Sequence, residues 1–177
     1  MTPPLPPPAT PFPLPLTPSI TVRPWQPSDR DVAATLIQRV LGEYDLPWQP
    51  TLADRDVVEV EACYQGVGGE FWVLVQQDQG EAETVVGTAA YFPVARGEQA
   101  VEIRKMYFHP LIRGQGLGRR VLELLEGAIA RRGFKTIWVE TVSRMEAAVH
   151  LYETSGYQPA TEVETTRCDR CYVKYLP

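Results

Sequence analysis

The chain has 177 residues, 44% of them hydrophobic, and a net charge of −5. That is about one domain's length, with enough apolar content for a sizeable core. The acidic balance excludes general nucleic-acid or anionic-membrane binding, and no apolar run approaches the ~18 residues of a membrane span.

Residues 1–18, MTPPLPPPATPFPLPLTP, hold nine of the seventeen prolines. This composition predicts a proline-rich tail, loosely packed or mobile, ahead of a domain over 19–177. With no positive charge before Arg23, the start does not read as a secretory signal. ITVRPW alternates and reads as a strand. Ser28, ahead of Asp31, reads as an N-cap, and Ala33, Leu36, Ile37, Val40 and Leu41 follow at helical spacing. A second, shorter helix is expected from about Leu52 to Tyr64, closed by Gly66. EFWVLVQQ and TVVGTAAYFPV flank the polar DQGEAE and read as a hairpin, and VEIRKMYFHP is the next strand.

RGQGLGRR, residues 113–120, comes next. Its three glycines precede an apolar helical stripe of Val121, Leu122, Leu124, Leu125, Ala128 and Ile129. FKTIWVETV is a continuous buried-type strand. Ser143-x-x-Glu146 forms a capping box for a helix that stops at Gly156. Strands near YQPATEV and RCYVKYL close the chain. The order β-α-α-β-β-β-α-β-α-β-β predicts an α/β fold with a mixed sheet.

Glycines between a strand and a helix present unpaired N–H groups and the positive end of the helix dipole, a ready phosphate site. From Ile103 to Arg120 there are five basic residues (Arg104, Lys105, Arg113, Arg119, Arg120) and no acidic one, a local positive island in an acidic chain. The spacing fits neither the P-loop nor the dinucleotide fingerprint. Three cysteines, Cys63, Cys168 and Cys171, are too few for a disulfide framework. They read as structural thiols of a cytoplasmic protein, with no metal site.

Arg113-Gly114-Gln115-Gly116-Leu117-Gly118 resembles the [QR]-x-x-G-x-[GA] signature of the GNAT superfamily of acyl-CoA-dependent N-acetyltransferases. EIRKMYFHP resembles that family's fourth strand, and AAVHLYETSGY its A-x-x-L-Y-x-x-x-G-[FY] helix. The element order agrees over roughly Ile20 to Leu176. The resemblance implies a GNAT-like mixed central sheet flanked by helices, with acetyl-CoA as co-substrate and no metal. Met106, Tyr107 and Phe108 would run along the pantetheine, and Arg113, Gly114, Gln115, Gly116, Leu117, Gly118 and Arg119 would surround the pyrophosphate. One departure stands out: many members start the last helix with an asparagine that contacts the cofactor, and Met145 holds that position here.

For the chemistry, the resemblance implies a backbone N–H, that of Phe108, aimed at the acetyl oxygen. Tyr152 would hydrogen-bond the leaving thiolate. Glu102 is the candidate base, with Glu140 its rival. Tyr44, Trp48, Trp72, Tyr91 and Phe92 are candidate aromatic walls for the acceptor, and Glu140 and Asp169 candidate attractors of its charge. The expected partner is a small-molecule primary amine of amino-acid or polyamine type, bound by a monomer or homodimer. A protein amine acceptor, or a non-catalytic acyl-CoA sensor, are the alternatives.

Overall fold

The computed structural model describes residues 10–177. Eight strands form one mixed sheet in the order β1-β2-β3-β4-β5-β6-β8-β7. They are β1 (Leu14–Pro15), β2 (Ile20–Pro24), β3 (Glu70–Gln76), β4 (Thr84–Pro93), β5 (Ala100–Phe108), β6 (Thr136–Thr141), β7 (Gln158–Ala160) and β8 (Arg170–Tyr175). All neighbours run antiparallel except β5 and β6. The helices are α1 (Arg30–Gly42), α2 (Arg55–Val58), α3 (Val60–Cys63), α4 (Leu117–Arg131) and α5 (Glu146–Thr154).

The two faces of the sheet follow from strand alternation. On β3, Trp72 and Leu74 join α4's stripe of Val121, Leu122, Leu125, Ala128 and Ile129 in the larger core. Phe71, Val73 and Val75 face the other way, toward Ala33 of α1 and Val60 and Tyr64. The α4 face also takes Tyr152 of α5, so the helical stripes read from the sequence are buried on the two faces of the sheet.

Long-range contacts override the local signals in several places. Leu14 and Pro15 pair with Val22 and Thr21. Leu16 is 2% exposed, and Phe12 packs edge-on against Trp72 at 5.4 Å. Arg120 also donates to the Leu16 carbonyl. The loosely packed tail therefore does not extend over residues 10–18, where Leu14 and Pro15 join the sheet and Phe12 and Leu16 pack into the core; its first nine residues lie outside the described ones. The expected helix over 52–64 is split into α2 and α3, and Gly68, not Gly66, caps the turn that follows.

Neither predicted cap forms. Asp29, not Ser28, accepts the Gln26 N–H (2.8 Å), because Arg23 holds its carboxylate in place at 2.8 Å. Ser143 bonds Asp169 at 2.6 Å instead of capping α5. Among the described residues no helix is long and apolar enough to cross a membrane.

Candidate active site

The glycine turn sits where the sequence placed it, between β5 and α4. Gly114 (φ 73°) and Gly116 (φ 74°) are both left-handed, and Gly116 is the N-cap of α4. These backbone angles suit glycine and disfavour any residue with a Cβ. No atom lies within 4 Å of where a Cβ on either would stand, so the space before them is open. This turn, the end of β5 and one face of α5 enclose a cleft of about 440 Å³. Met106, Tyr107, Phe108, Arg113, Gly114, Gly116, Leu117, Gly118, Arg119 and Tyr152 all line it. Gln115 does not; its side chain folds back onto the Leu111 carbonyl (3.2 Å).

One wall of the cleft is an unpaired strand edge. β5 and β6 pair only from Ala100–Thr136 to Ile103–Val139, after which β6, paired with β8 along its whole length, diverges from β5. His109 N–H donates to Val86 of β4 (2.8 Å). Successive N–H groups of a strand point to opposite edges. Phe108 N–H therefore points to the edge that β6 has vacated.

A β-bulge interrupts β5 opposite Ala89. Lys105 there has φ 54°, unusual for a residue with a side chain. The bulge breaks strand alternation, so Arg104 and Lys105, though adjacent, both line a second, smaller pocket. This pocket, of about 60 Å³, is shared by Glu102, Glu140, Thr165, Arg167 and Cys168. Tyr107 and Met145 line both spaces, so the two adjoin.

Glu102 is 2% exposed, and its Oε1 accepts from Arg104 Nε at 2.7 Å. Burial raises its carboxyl above the ordinary range, outweighing the pull of Arg104. Glu140 is placed differently. Burial alone would raise it, but the backbone N–H groups of Glu164 and Thr165 (2.7 and 2.8 Å), with Arg96 (2.9 Å), hold it below the ordinary range. Tyr152 is buried, which pushes its phenol up, and its hydroxyl reaches only the weak acceptor Met106 Sδ at 4.0 Å. Burial also lifts the Cys168 thiol to about 11, so it lines the pocket as a neutral group.

The family model for the acetyltransferase (GNAT) family matches residues 37–157. The chain belongs to the GNAT family. An uncharacterized N-acetyltransferase of Escherichia coli, YjgM, is 32% identical over 73% of this chain and 77% of its own length. A ribosomal protein bS18-alanine N-acetyltransferase of the same species is 45% identical, but over only 27% of this chain and 32% of its own. A GNAT acetyltransferase structure from Staphylococcus aureus Mu50 superposes with a TM-score of 0.79 at 17% identity, covering 90% of this chain and all of that one. The structure of yncA from Salmonella typhimurium, solved with its cofactor acetyl-CoA, has a TM-score of 0.61 at 22% identity, covering 89% and 92%.

Within this GNAT fold the expected positive island is dispersed. Arg113 pairs with Glu43 (2.5 Å) and donates to the Phe108 carbonyl (2.8 Å), bracing the turn against α1. Arg119 ties α4 to the end of α5 through Thr154 (2.8 Å). Arg104 and Lys105 serve the smaller pocket, Arg104 on Glu102 of its own strand and Lys105 on the distant Asp54.

The expected aromatic walls are also scattered. Trp72 and Tyr91 are core residues around Glu70, Trp48 packs beside Ile37 and Leu41, and Phe92 lies under Arg104. Only Tyr44 lines the larger cleft, and Asp169 is held by Ser143.

Sequence reasoning missed Asp54. This fully buried carboxylate takes Lys105 (2.7 Å), Arg167 through both oxygens (2.7 Å each) and the Gln49 N–H (2.9 Å). Its cations stand 51 and 113 residues away, and no local pattern announces them.

Proposed function

We propose that this protein moves an acetyl group from acetyl-CoA to the primary amine of a small molecule. One observation carries the reading: the open edge of β5 and the left-handed glycine turn meet in a single cleft that Tyr152 also lines. The donor chemistry fits acetyl-CoA. Unoccupied backbone N–H groups at a helix N-terminus suit a pyrophosphate, and an unpaired strand edge suits the amide groups of a pantetheine.

Acetyl-CoA supplies an activated thioester, whose C–S bond breaks as the amine nitrogen bonds the acetyl carbon. Phe108 N–H on the vacated edge is placed to stabilise negative charge on the acetyl oxygen, an effect typically worth ~2.7–4 kcal/mol. Tyr152, kept protonated by its raised pKa, donates a hydrogen bond to the departing sulfur. A phenol less acidic than a thiol favours a hydrogen bond over full proton transfer. Glu102 takes the amine proton, for which its elevated pKa suits it. Glu140, already engaged by three donors, serves as an anchor and not as the base.

Release of coenzyme A thiol from acetyl-CoA, followed over a panel of small amines, tests the proposal. Acceptor-dependent release supports it; acetyl-CoA binding with no release on any amine overturns it in favour of a sensor.

A further inference from the structure

The pocket beside Glu102 is rich in cations for a site that receives an amine. Arg104, Lys105 and Arg167 line it. Behind them lies a set of ion pairs: Arg96 on Glu140, Arg104 on Glu102, Lys105 on Asp54 and Asp56, and Arg167 on Asp54. Four cations thus meet four carboxylates, with Glu164 touching Arg96 from the solvent side at 3.5 Å. When Glu102 is protonated, Glu140, Asp54, Asp56 and Glu164 keep their charge, and Arg104 loses the carboxylate that meets its Nε.

Arg104 is the cation with donors to spare. Its Nε is on Glu102 (2.7 Å) and one Nη2 proton on Thr165 (3.1 Å). Its Nη1 comes no closer than 3.9 Å to Asp56 and makes no hydrogen bond among the described residues. The ring of Phe92 lies 5.1 Å from the guanidinium carbon and the side chain is 26% exposed, so the group is fixed in place and reachable. A planar guanidinium with a free N–H edge is the side chain best matched to a carboxylate.

We propose that the acceptor is a primary amine that also bears a carboxylate, in its simplest form an amino acid, and that Arg104 receives the carboxylate. The proposal rests on the acetyl-transfer reading and narrows its acceptor. Glu102, 2.7 Å from Arg104, then lies beside the amine. As the proton arrives on Glu102, Arg104 loses its anionic partner, and the acceptor carboxylate replaces it. A pocket of about 60 Å³ holds the amine and carboxylate end and leaves the rest of the acceptor outside. A polyamine brings no anion to Arg104 and leaves its open N–H edge without a partner.

The test is thiol release from acetyl-CoA with matched trios: an amino acid, its methyl ester and its decarboxylated amine. The expected result is a kcat/KM for the amino acid at least about tenfold above both analogues, the worth of one charge-assisted hydrogen bond. In Arg104→Gln that ratio, whatever the absolute rate, collapses to within about twofold; Arg104→Lys, which keeps the charge without the fork, retains part of it. Esters or amines used as well as, or better than, the amino acids overturn the proposal and leave acetyl transfer standing. Release with no amine at all overturns both. A ratio untouched by either substitution overturns the role of Arg104.

Discussion

Arg96 and Glu140 face each other at 2.9 Å with side chains only 4% and 2% exposed, and Arg96 also stacks on Trp138 at 4.2 Å. Through Glu140 this pair holds the backbone of Glu164 and Thr165, in the segment that brings Thr165, Arg167 and Cys168 to the smaller pocket. Removing one partner of a buried pair leaves the other charge stranded, typically at about 3–5 kcal/mol. Glu140→Ala should therefore lower the melting temperature sharply and raise the KM for the acceptor more than it lowers kcat. The pair's contribution is present at neutral pH, because Glu140 is held below its ordinary 4.5, and is lost as pH falls from there through the folded value. Wild-type protein should lose more stability over that acid range than the variant, as parallel thermal melts would show.

Glu102 carries the opposite shift. Its carboxyl is raised by burial, so the basic form disappears as pH falls through a value above the usual carboxylate range. The acid limb of kcat/KM should sit correspondingly high. Glu102→Gln should cut turnover by about 100-fold or more and remove that limb. A pH profile unchanged in shape by the substitution would reassign the base.

Tyr152→Phe deletes a hydroxyl whose only hydrogen-bond contact is Met106 Sδ at 4.0 Å, while the ring stays packed against Tyr157 and Tyr172. Stability should hardly change. Turnover should fall ~10- to 1,000-fold with acetyl-CoA affinity near normal. Single-turnover kinetics, in which product release plays no part, is the appropriate readout.

Gly116→Val should weaken acetyl-CoA binding at least ~10-fold, through lost hydrogen bonds at the turn. No protein atom obstructs the new side chain, so the penalty comes from the left-handed backbone and the blocked approach to the N–H groups. Calorimetry with acetyl-CoA beside a ligand-free melt separates the two. Tight binding by a well-folded variant would reduce the turn to a connector.

Deleting residues 1–16 should destabilise the fold by at least ~2 kcal/mol. Burying Leu16 alone falls in the range of 1.5–3 kcal/mol typical of such side chains, and Phe12 on Trp72 adds to it. Affinity for acetyl-CoA in the folded fraction should stay within about twofold, since none of residues 10–16 lines the cleft. Denaturant melts and calorimetry on the truncated chain check both halves.

What the sequence made legible was local. The stripe of α4, the alternation of β3 and β5 and the left-handed glycines follow from neighbours within a few residues, and so does the place of Tyr152 on α5. What it hid depends on partners far along the chain. Asp169 takes Ser143 away from its capping box, and Arg23 holds Asp29 against the Gln26 N–H upstream of α1. Arg96, 44 residues from Glu140, turns a candidate base into an anchor. The bulge at Lys105, which redirects Arg104 and Lys105 out of the phosphate island, leaves no mark in composition or period. Proline content argued for a free tail, yet Leu14 and Leu16 found a strand and a core to join.

The two rims of the sheet, β1 and β7, are two and three residues long, and each contains a proline, Pro15 and Pro159. A proline brings no N–H to a ladder, and such short strands leave little template for a newcomer. Both rims are therefore poor places for another chain to extend the sheet. Among the described residues, the sheet thus ends on each side in a strand that offers a newcomer little backbone to continue.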